Sequence, residues 1–430
     1  MVMIILNMKF WFLFVFLVLS YSYAHNSISG GEFVFEKEWT LQTENASQVH
    51  TIVLKVAEIP SNNVQKVEVD FNRPYFIEDG FYIIRVTDPS STEKIKMIAN
   101  IKTDYDNWDI KHPILKKDYE DLDAERSGAL AVPNQEIKQF SQTFDQENVF
   151  SSTVAITEWV YKNVEYDEEY TEHKMPATYV FHNKKGTCDE FSHLSIAMFR
   201  SIGIPSRFVK GYVFSNNTWE FHAWTEYYNL EYGWLPVDPT FGEYIYLSGN
   251  RIILSSSDEQ DDAFTDSVSA EGYGDFDISF TSSVNIEKIK TNDRKIYFVV
   301  SHDVTKYDSY FEIKILLENQ ENKFYFIPTT LVLPIEVGGH QKGITVLAPY
   351  EKKVLLRKAD IMELNQGNYK VPYNLNMFGF EYNGNFEVNN HPVIFNNDEF
   401  IVGEMSKYWW ILLFPILFIL INAFTKSRKK

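Results

Sequence analysis

The stretch Gly186-Thr187-Cys188-Asp189-Glu190-Phe191 decides how this chain is read, together with Trp219-Glu220-Phe221-His222-Ala223-Trp224 and Trp234-Leu235-Pro236-Val237-Asp238-Pro239 downstream. Thr187 and Glu190 are spaced as a Ser/Thr-x-x-Glu capping box, which predicts Thr187 as N-cap and Cys188 as the first residue of a helix. The apolar stripe Phe191, Leu194, Met198 and Phe199 continues that helix, and Gly203 followed by Pro205 predicts its end. The sole cysteine of the chain thus faces the positive end of a helix dipole, an environment that favours a nucleophilic thiolate.

Arg207 to Phe214, Trp219 to Tyr228 and Gly233 to Asp238 are dense in aromatic and β-branched residues and read as strands. A symmetric turn centred near Leu230 sets His222 directly opposite Asp238. Facing residues of a hairpin have Cβ atoms about 4.5 to 5.5 Å apart, close enough for a carboxylate to orient an imidazole. Pro239 favours an extended Asp238. A thiol at a helix start, a base on one strand and an acid on the next make a Cys188-His222-Asp238 arrangement suited to acyl transfer.

In order and spacing, Gly-Thr-Cys-Asp-Glu-Phe, Phe-His-Ala-Trp and Pro-Val-Asp-Pro-Thr resemble the transglutaminase-like superfamily over residues 130 to 245. Papain, whose cysteine and histidine lie much farther apart, is a distant likeness. The resemblance implies an α+β, papain-like core of helices on an antiparallel sheet, and the chain is read as a prokaryotic-type member whose membrane anchor is a separate reading of its C-terminal residues. Carried over position by position, it makes Cys188 the nucleophile, His222 the base and Asp238 the orienter.

With 430 residues, the chain is long enough for about three domains, and 45% hydrophobic with 16% aromatic residues is ample for packed cores. The formal charge of -19 argues against nucleic acid as a partner, which wants clustered Lys and Arg. Phe10 to Leu19 is continuously apolar, follows Lys9 and precedes Ser22-Tyr23-Ala24, the pattern of a cleaved secretory leader. A second apolar run, Trp409 to Phe424, ends in Lys426, Arg428, Lys429 and Lys430 and reads as a single-pass anchor with a cytoplasmic tail. A lone thiol outside the cytoplasm invites oxidation unless it performs chemistry.

The expected organisation is a signal peptide over 1–24, an N-terminal β domain over 25–118 and the catalytic domain over 119–254. An acidic linker over 255–283, a β-sandwich over 284–400, a transmembrane helix over 408–424 and a basic tail over 425–430 follow. Within the catalytic domain, Asn134 can cap a helix bearing Ile137, Phe140 and Phe144, and Ser151 or Ser152 one bearing Ile156, Trp159, Val160 and Val164.

Two other constellations give way to blander readings. Asp189 and His193 lie a helical turn apart and could share a metal with Cys188, yet nothing supplies a fourth ligand at usual spacing. Asp258, Glu259, Asp261, Asp262 and Asp266 lack the regular pattern of a calcium loop and read as solvated linker. No cofactor or metal is expected. Trp219, Trp224 and Trp234 read as cross-strand packing. One oxyanion donor is expected from the Cys188 N–H, and the second, for which Tyr179 is one upstream aromatic, stays open. The expected protein is an outward-facing thiol enzyme at the cell membrane, acting on protein or peptide amides by hydrolysis or transfer. The alternative is a catalytically silent surface scaffold of the same fold.

Overall fold

The computed structural model describes residues 22–23, 27–43, 49–112, 119, 129–171, 173–215, 217–258, 260, 266–272, 276–292, 296–306, 310–360, 367–377 and 380–390. The apolar runs Phe10 to Leu19 and Trp409 to Phe424, and with them the expected leader helix and anchor, lie outside those residues. Among the described residues no helix is long and apolar enough to cross a membrane.

The chain opens with strands β1 (Ser22–Tyr23), β2 (Ser27–Thr43), β3 (Val49–Ala57), β4 (Gln65–Phe71), β5 (Tyr75–Glu78), β6 (Phe81–Thr87) and β7 (Thr92–Asp104). In β2 the residues Phe33, Phe35, Lys37, Trp39 and Leu41 are buried while Val34, Glu36, Glu38 and Thr40 are partly exposed, the two-residue period of a half-buried strand. Those inward faces meet Ile52, Leu54, Ile84, Ile95, Met97 and Ile101 in one core between two sheets.

The middle of the chain forms α1 (Gln135–Ser141), α2 (Val149–Asn163), the short strand β8 (Glu165–Tyr166), α3 (Ala177–Asn183), β9 (Lys185–Gly186) and α4 (Cys188–Ser201). Five strands follow: β10 (Ser206–Ser215), β11 (Thr218–Asn229), β12 (Gly233–Asp238), β13 (Glu243–Tyr244) and β14 (Arg251–Ser257). They build an antiparallel sheet in the order β13-β12-β11-β10-β14, with α4 packed on β10 and β11. Asn134 caps α1 through its Oδ1 to the Ile137 N–H at 2.8 Å. The cap of α2 is Asn148, whose Oδ1 accepts from the Ser151 N–H at 2.7 Å, and not Ser151 or Ser152 as the sequence suggests. Ser152 is inside the helix with its hydroxyl accepting from the Gln146 N–H. α4 ends as expected: Gly203 takes φ +78 and its N–H bonds the Arg200 carbonyl at 3.0 Å.

The expected acidic linker over 255–283 is corrected by the structure. β15 (Ser267–Gly272) pairs with β3, and the long strand β16 (Phe276–Asn292) pairs with β2 from Phe276↔Thr43 to Asn292↔Ser27. The two sheets thus run β16-β2-β7-β4 and β15-β3-β6-β5, so the chain returns to the N-terminal domain after completing the middle one. An edge strand needs one neighbour and little burial, so a Ser-, Asp- and Gly-rich composition hides it. The remaining strands, β17 (Ile296–Lys306), β18 (Tyr310–Asn319), β19 (Tyr325–Val332), β20 (His340–Leu347), β21 (Lys352–Asp360), β22 (Gly367–Met377) and β23 (Phe380–Asn390), form the sheets β1-β17-β18-β21 and β20-β19-β22-β23. Ser22 and Tyr23, read as part of the leader, here pair with Phe298 and Tyr297.

This last domain is joined to the middle one rather than hung from it. Phe326 packs on Phe150 and Tyr244, the Tyr161 hydroxyl meets Thr330 Oγ1 at 2.6 Å, and Glu158 accepts from the Ile344 N–H. One apolar core runs through both.

Candidate active site

Cys188 is the first residue of α4, and the turn before it is held by a buried carboxylate. Glu190 Oε2 accepts from the Thr187 N–H at 2.9 Å and the Thr187 hydroxyl at 2.8 Å, closing the capping box, while Oε1 accepts from the Met175 N–H at 3.0 Å. Gly186 belongs to the same device: a Cβ there would come within 2.3 Å of Glu190 Cβ, so only glycine leaves room for the capping side chain. The thiol is partly buried, with Sγ 3.9 Å from Asp189 Oδ1. Asp189 also accepts from the Gln260 amide, and His193 gives Nδ1 to the Met175 carbonyl at 2.9 Å with its ring over Phe208. Among the described residues no three His, Cys, Asp or Glu side chains gather to hold a metal.

His222 sits on β11 and Asp238 ends β12, with Nε2 2.8 Å from Asp238 Oδ2. Their pairing differs from the expected one. The β11–β12 ladder runs from Asn229↔Gly233 to Thr225↔Val237, a register two residues away from direct opposition of His222 and Asp238. The cause is the turn: Asn229 Oδ1 accepts from both the Glu231 and Tyr232 N–H groups, which centres the hairpin on Glu231. A shift of two keeps both side chains on one face, so the contact survives as a diagonal one.

Asp238 is completely buried and fully used. Its Oδ1 accepts from the Thr240 and Phe241 N–H groups, and its Oδ2 is shared by His222 and Arg251 Nη1 at 2.8 Å. Arg251, itself buried on β14, gives Nη2 to Glu243 at 2.6 Å and Nε to the Ser248 carbonyl at 3.0 Å. Burial alone would raise the Asp238 carboxyl, but the His222 and Arg251 cations win and hold it at about 2. Burial alone would lower the imidazole; the carboxylate of Asp238 and, to a lesser degree, a hydrogen bond with Cys188 push it up to about 10. With Nε2 committed to Asp238, the other ring nitrogen is left for the thiol.

The imidazole is clamped between Trp224, buried at a centroid distance of 6.1 Å, and Phe241 at 5.0 Å on the side of solvent. Trp219 packs on its cross-strand partner Phe214 and Trp234 on its partner Tyr228, as cross-strand packing predicts, while Trp219 also meets Phe33 of the N-terminal domain edge-on. Cys188 and His222 open into a cleft of about 370 Å³ that is also lined by Tyr166, Lys210, Tyr212 and Phe221. Tyr179 is not among its lining residues, and its hydroxyl instead meets that of Tyr170 at 3.1 Å. Sequence reasoning missed Arg251, Glu243, Phe241 and Tyr166. A lone arginine opening the apolar strand Arg251-Ile252-Ile253-Leu254 was the signal available for the first.

Residues 138–239 match the family model described as transglutaminase-like superfamily. The uncharacterised protein YebA of Bacillus subtilis strain 168 is 30% identical over 147 residues, which cover 28% of this chain and 18% of that protein. The protein-glutamine gamma-glutamyltransferase of Pseudomonas aeruginosa is 33% identical over 85 residues, 16% of this chain and 13% of the relative. The chain thus spans under a fifth of the length of these two relatives. A crystal structure of a candidate cysteine protease from Cytophaga hutchinsonii aligns with a TM-score of 0.40 and 22% identity, covering 63% of this chain and 94% of that one.

Proposed function

The chain carries a domain of the transglutaminase-like superfamily over residues 138–239, and we propose that this domain is a cysteine-dependent acyl-transfer enzyme acting on peptide or glutamine-type amides. The observation that carries the reading is the meeting, in one cleft, of a helix-start thiol with an imidazole bonded to a buried carboxylate. Cys188 gives its proton to His222, and its sulfur attacks the amide carbonyl, so that a C–S bond forms and the carbonyl oxygen becomes an oxyanion. The C–N bond then breaks, with the proton on His222 passing to the departing amine, and a thioester remains. Water or a second amine attacks that thioester and loses its proton to His222. The C–S bond breaks, and the proton returns to the thiolate. The product is a carboxylic acid with water and a new amide with an amine.

Two donors are proposed for the oxyanion. The Cys188 N–H, in the first turn of α4, has no carbonyl of its own helix to bind. Tyr166 lines the same cleft, and β8–β9 pairing sets it beside Gly186, two residues from the thiol. Burial, followed by the nearness of Cys188, raises its phenol to about 12, so the hydroxyl keeps its proton and can donate.

The test is to mix the full chain with a glutamine-containing peptide, quench in acid and weigh the protein. A peptide acyl group on Cys188, released by hydroxylamine and absent from Cys188→Ala, is the expected result; no adduct across a panel of amide peptides and amine acceptors would count against the enzyme. Whether the released product is an acid or an amine conjugate then separates hydrolysis from transfer.

Attachment to a membrane with the body outside the cytoplasm is part of the proposal, and rests on Trp409 to Phe424 and the basic residues after it. Ending the chain at Ser406 is expected to move the protein from the membrane pellet to the soluble fraction. A truncated chain that still sediments entirely with membranes removes this part.

A further inference from the structure

The far wall of the cleft comes from the other domain. Phe35 on β2, Val56 on β3, Met97 on β7 and Phe280 on β16 line it, facing Tyr212 and Phe221 of the catalytic sheet. The wall is fastened to that sheet, since the Tyr212 hydroxyl bonds Ser282 at 2.9 Å and its ring approaches Phe35 at 6.0 Å; within the sheet Tyr212 stacks on its cross-strand partner Phe221 at 4.3 Å. Two of these rings are nevertheless left in water: Phe221 is 55% and Phe280 56% exposed. Large apolar surface left in water beside the Cys188 thiol is unfavourable unless something covers it.

The charged groups on this wall do not contradict an apolar occupant. Lys37 and Asp266 are paired with each other, Asp266 also accepts from Trp39 Nε1 at 2.9 Å, and the Lys37 ammonium lies 4.4 Å from the Phe280 ring centroid. The volume of about 370 Å³ is at the low end for binding sites, room for a short extended segment and not for a folded surface.

We propose that the N-terminal β domain is the specificity wall of the enzyme, and that it selects an acyl donor carrying a bulky apolar side chain, aromatic for preference, beside the reacting carbonyl. This rests on the acyl-transfer reading above in its backbone-peptide form, since the carbonyl of a glutamine side-chain amide has no such side chain beside it. Phe280 and Phe221 grip that side chain from opposite sides, while Met97 and Phe35 form the floor.

The experiment labels Cys188 of the full chain with peptidyl chloromethyl ketones that carry Phe, Leu, Ala, Glu or Lys next to the ketone, with iodoacetamide as a reagent that needs no subsite. The Phe reagent is expected to react about tenfold or more faster than the Ala, Glu and Lys reagents, the discrimination of one well-filled apolar pocket. Phe280→Ala is expected to lose most of that preference, and Phe280→Glu to lose it and to gain on the Lys reagent. Because Phe280 lies on an exposed strand face, melting within about 2 °C of the unsubstituted chain shows that the fold is intact. Equal rates with the Phe and Ala reagents, or a ranking unchanged in Phe280→Glu, while iodoacetamide labels Cys188, overturns the specificity wall and leaves the acyl-transfer reading standing. A Cys188 that iodoacetamide does not label in the native chain takes down both.

Discussion

Replacing His222 with Ala is expected to lower kcat for amide turnover by about 10³- to 10⁴-fold, the full contribution of a base that must also protonate the leaving amine. The expectation follows from the proposed mechanism and from the geometry of the ring: Nε2 is tied to Asp238, Trp224 and Phe241 hold the ring from either face, and the second nitrogen is left by elimination for the Cys188 side. Asp238→Asn should fall less far than His222→Ala in kcat, because it acts through the ring, and should cost stability as well, because it leaves Arg251 with one carboxylate. Combining His222→Ala with Cys188→Ala should cost little beyond the worse single change, since the two act as one unit. Steady-state kinetics on any amide that forms the Cys188 thioester checks this, and a His222→Ala enzyme within tenfold of the parent would remove His222 from the mechanism.

How much of this was readable without coordinates depends on how local each signal is. The capping box around Cys188 spans four residues, and α4 follows it as the spacing predicts. The His222–Asp238 contact was readable because it needs only the right face, and parity survives an error of two in register; the error came from an Asx turn at Asn229 that a symmetric turn centred near Leu230 does not include. Arg251 was hidden for a different reason. It lies on β14, which joins the sheet beside β10 and not beside the strands that carry the triad candidates, so no spacing rule links it to Asp238. The return of β15 and β16 to the first domain is equally non-local, and it is this return that brings Asp266, Phe280 and Ser282 to the cleft.

Arg251→Leu is expected to destabilise the fold by about 3 to 5 kcal/mol, the usual cost of removing one partner from a buried ion pair. In the native protein the guanidinium is the only described cation between Asp238 and Glu243, bonding each at 2.8 and 2.6 Å, and it packs with Trp224 at 5.5 Å from the ring centroid. Leucine fills part of the space and leaves two carboxylates facing each other without it. The pH dependence gives the change a signature that a cavity alone does not. Because the folded Asp238 carboxyl is lowered to about 2, its contribution is complete above the ordinary carboxylate value of about 4 and is lost as pH falls towards 2. Because His222 is raised to about 10, its contribution is complete below its ordinary value of about 6.5 and is lost as pH rises towards 10. The pair therefore gives its full stabilisation between about pH 4 and 6.5. In Arg251→Leu, Asp238 keeps the imidazole and the Thr240 and Phe241 N–H groups but loses the guanidinium, so its carboxyl moves up towards its ordinary value, and the stability lost on acidification becomes smaller and is complete at a higher pH while the alkaline side stays in place. Arg251→Lys, which returns one charge but not two directed forks, should recover part of the loss. Urea unfolding from pH 3 to 9 reads all three outcomes, and a loss below about 1 kcal/mol with an unmoved acid limb would mean that Arg251 does not hold Asp238 in place.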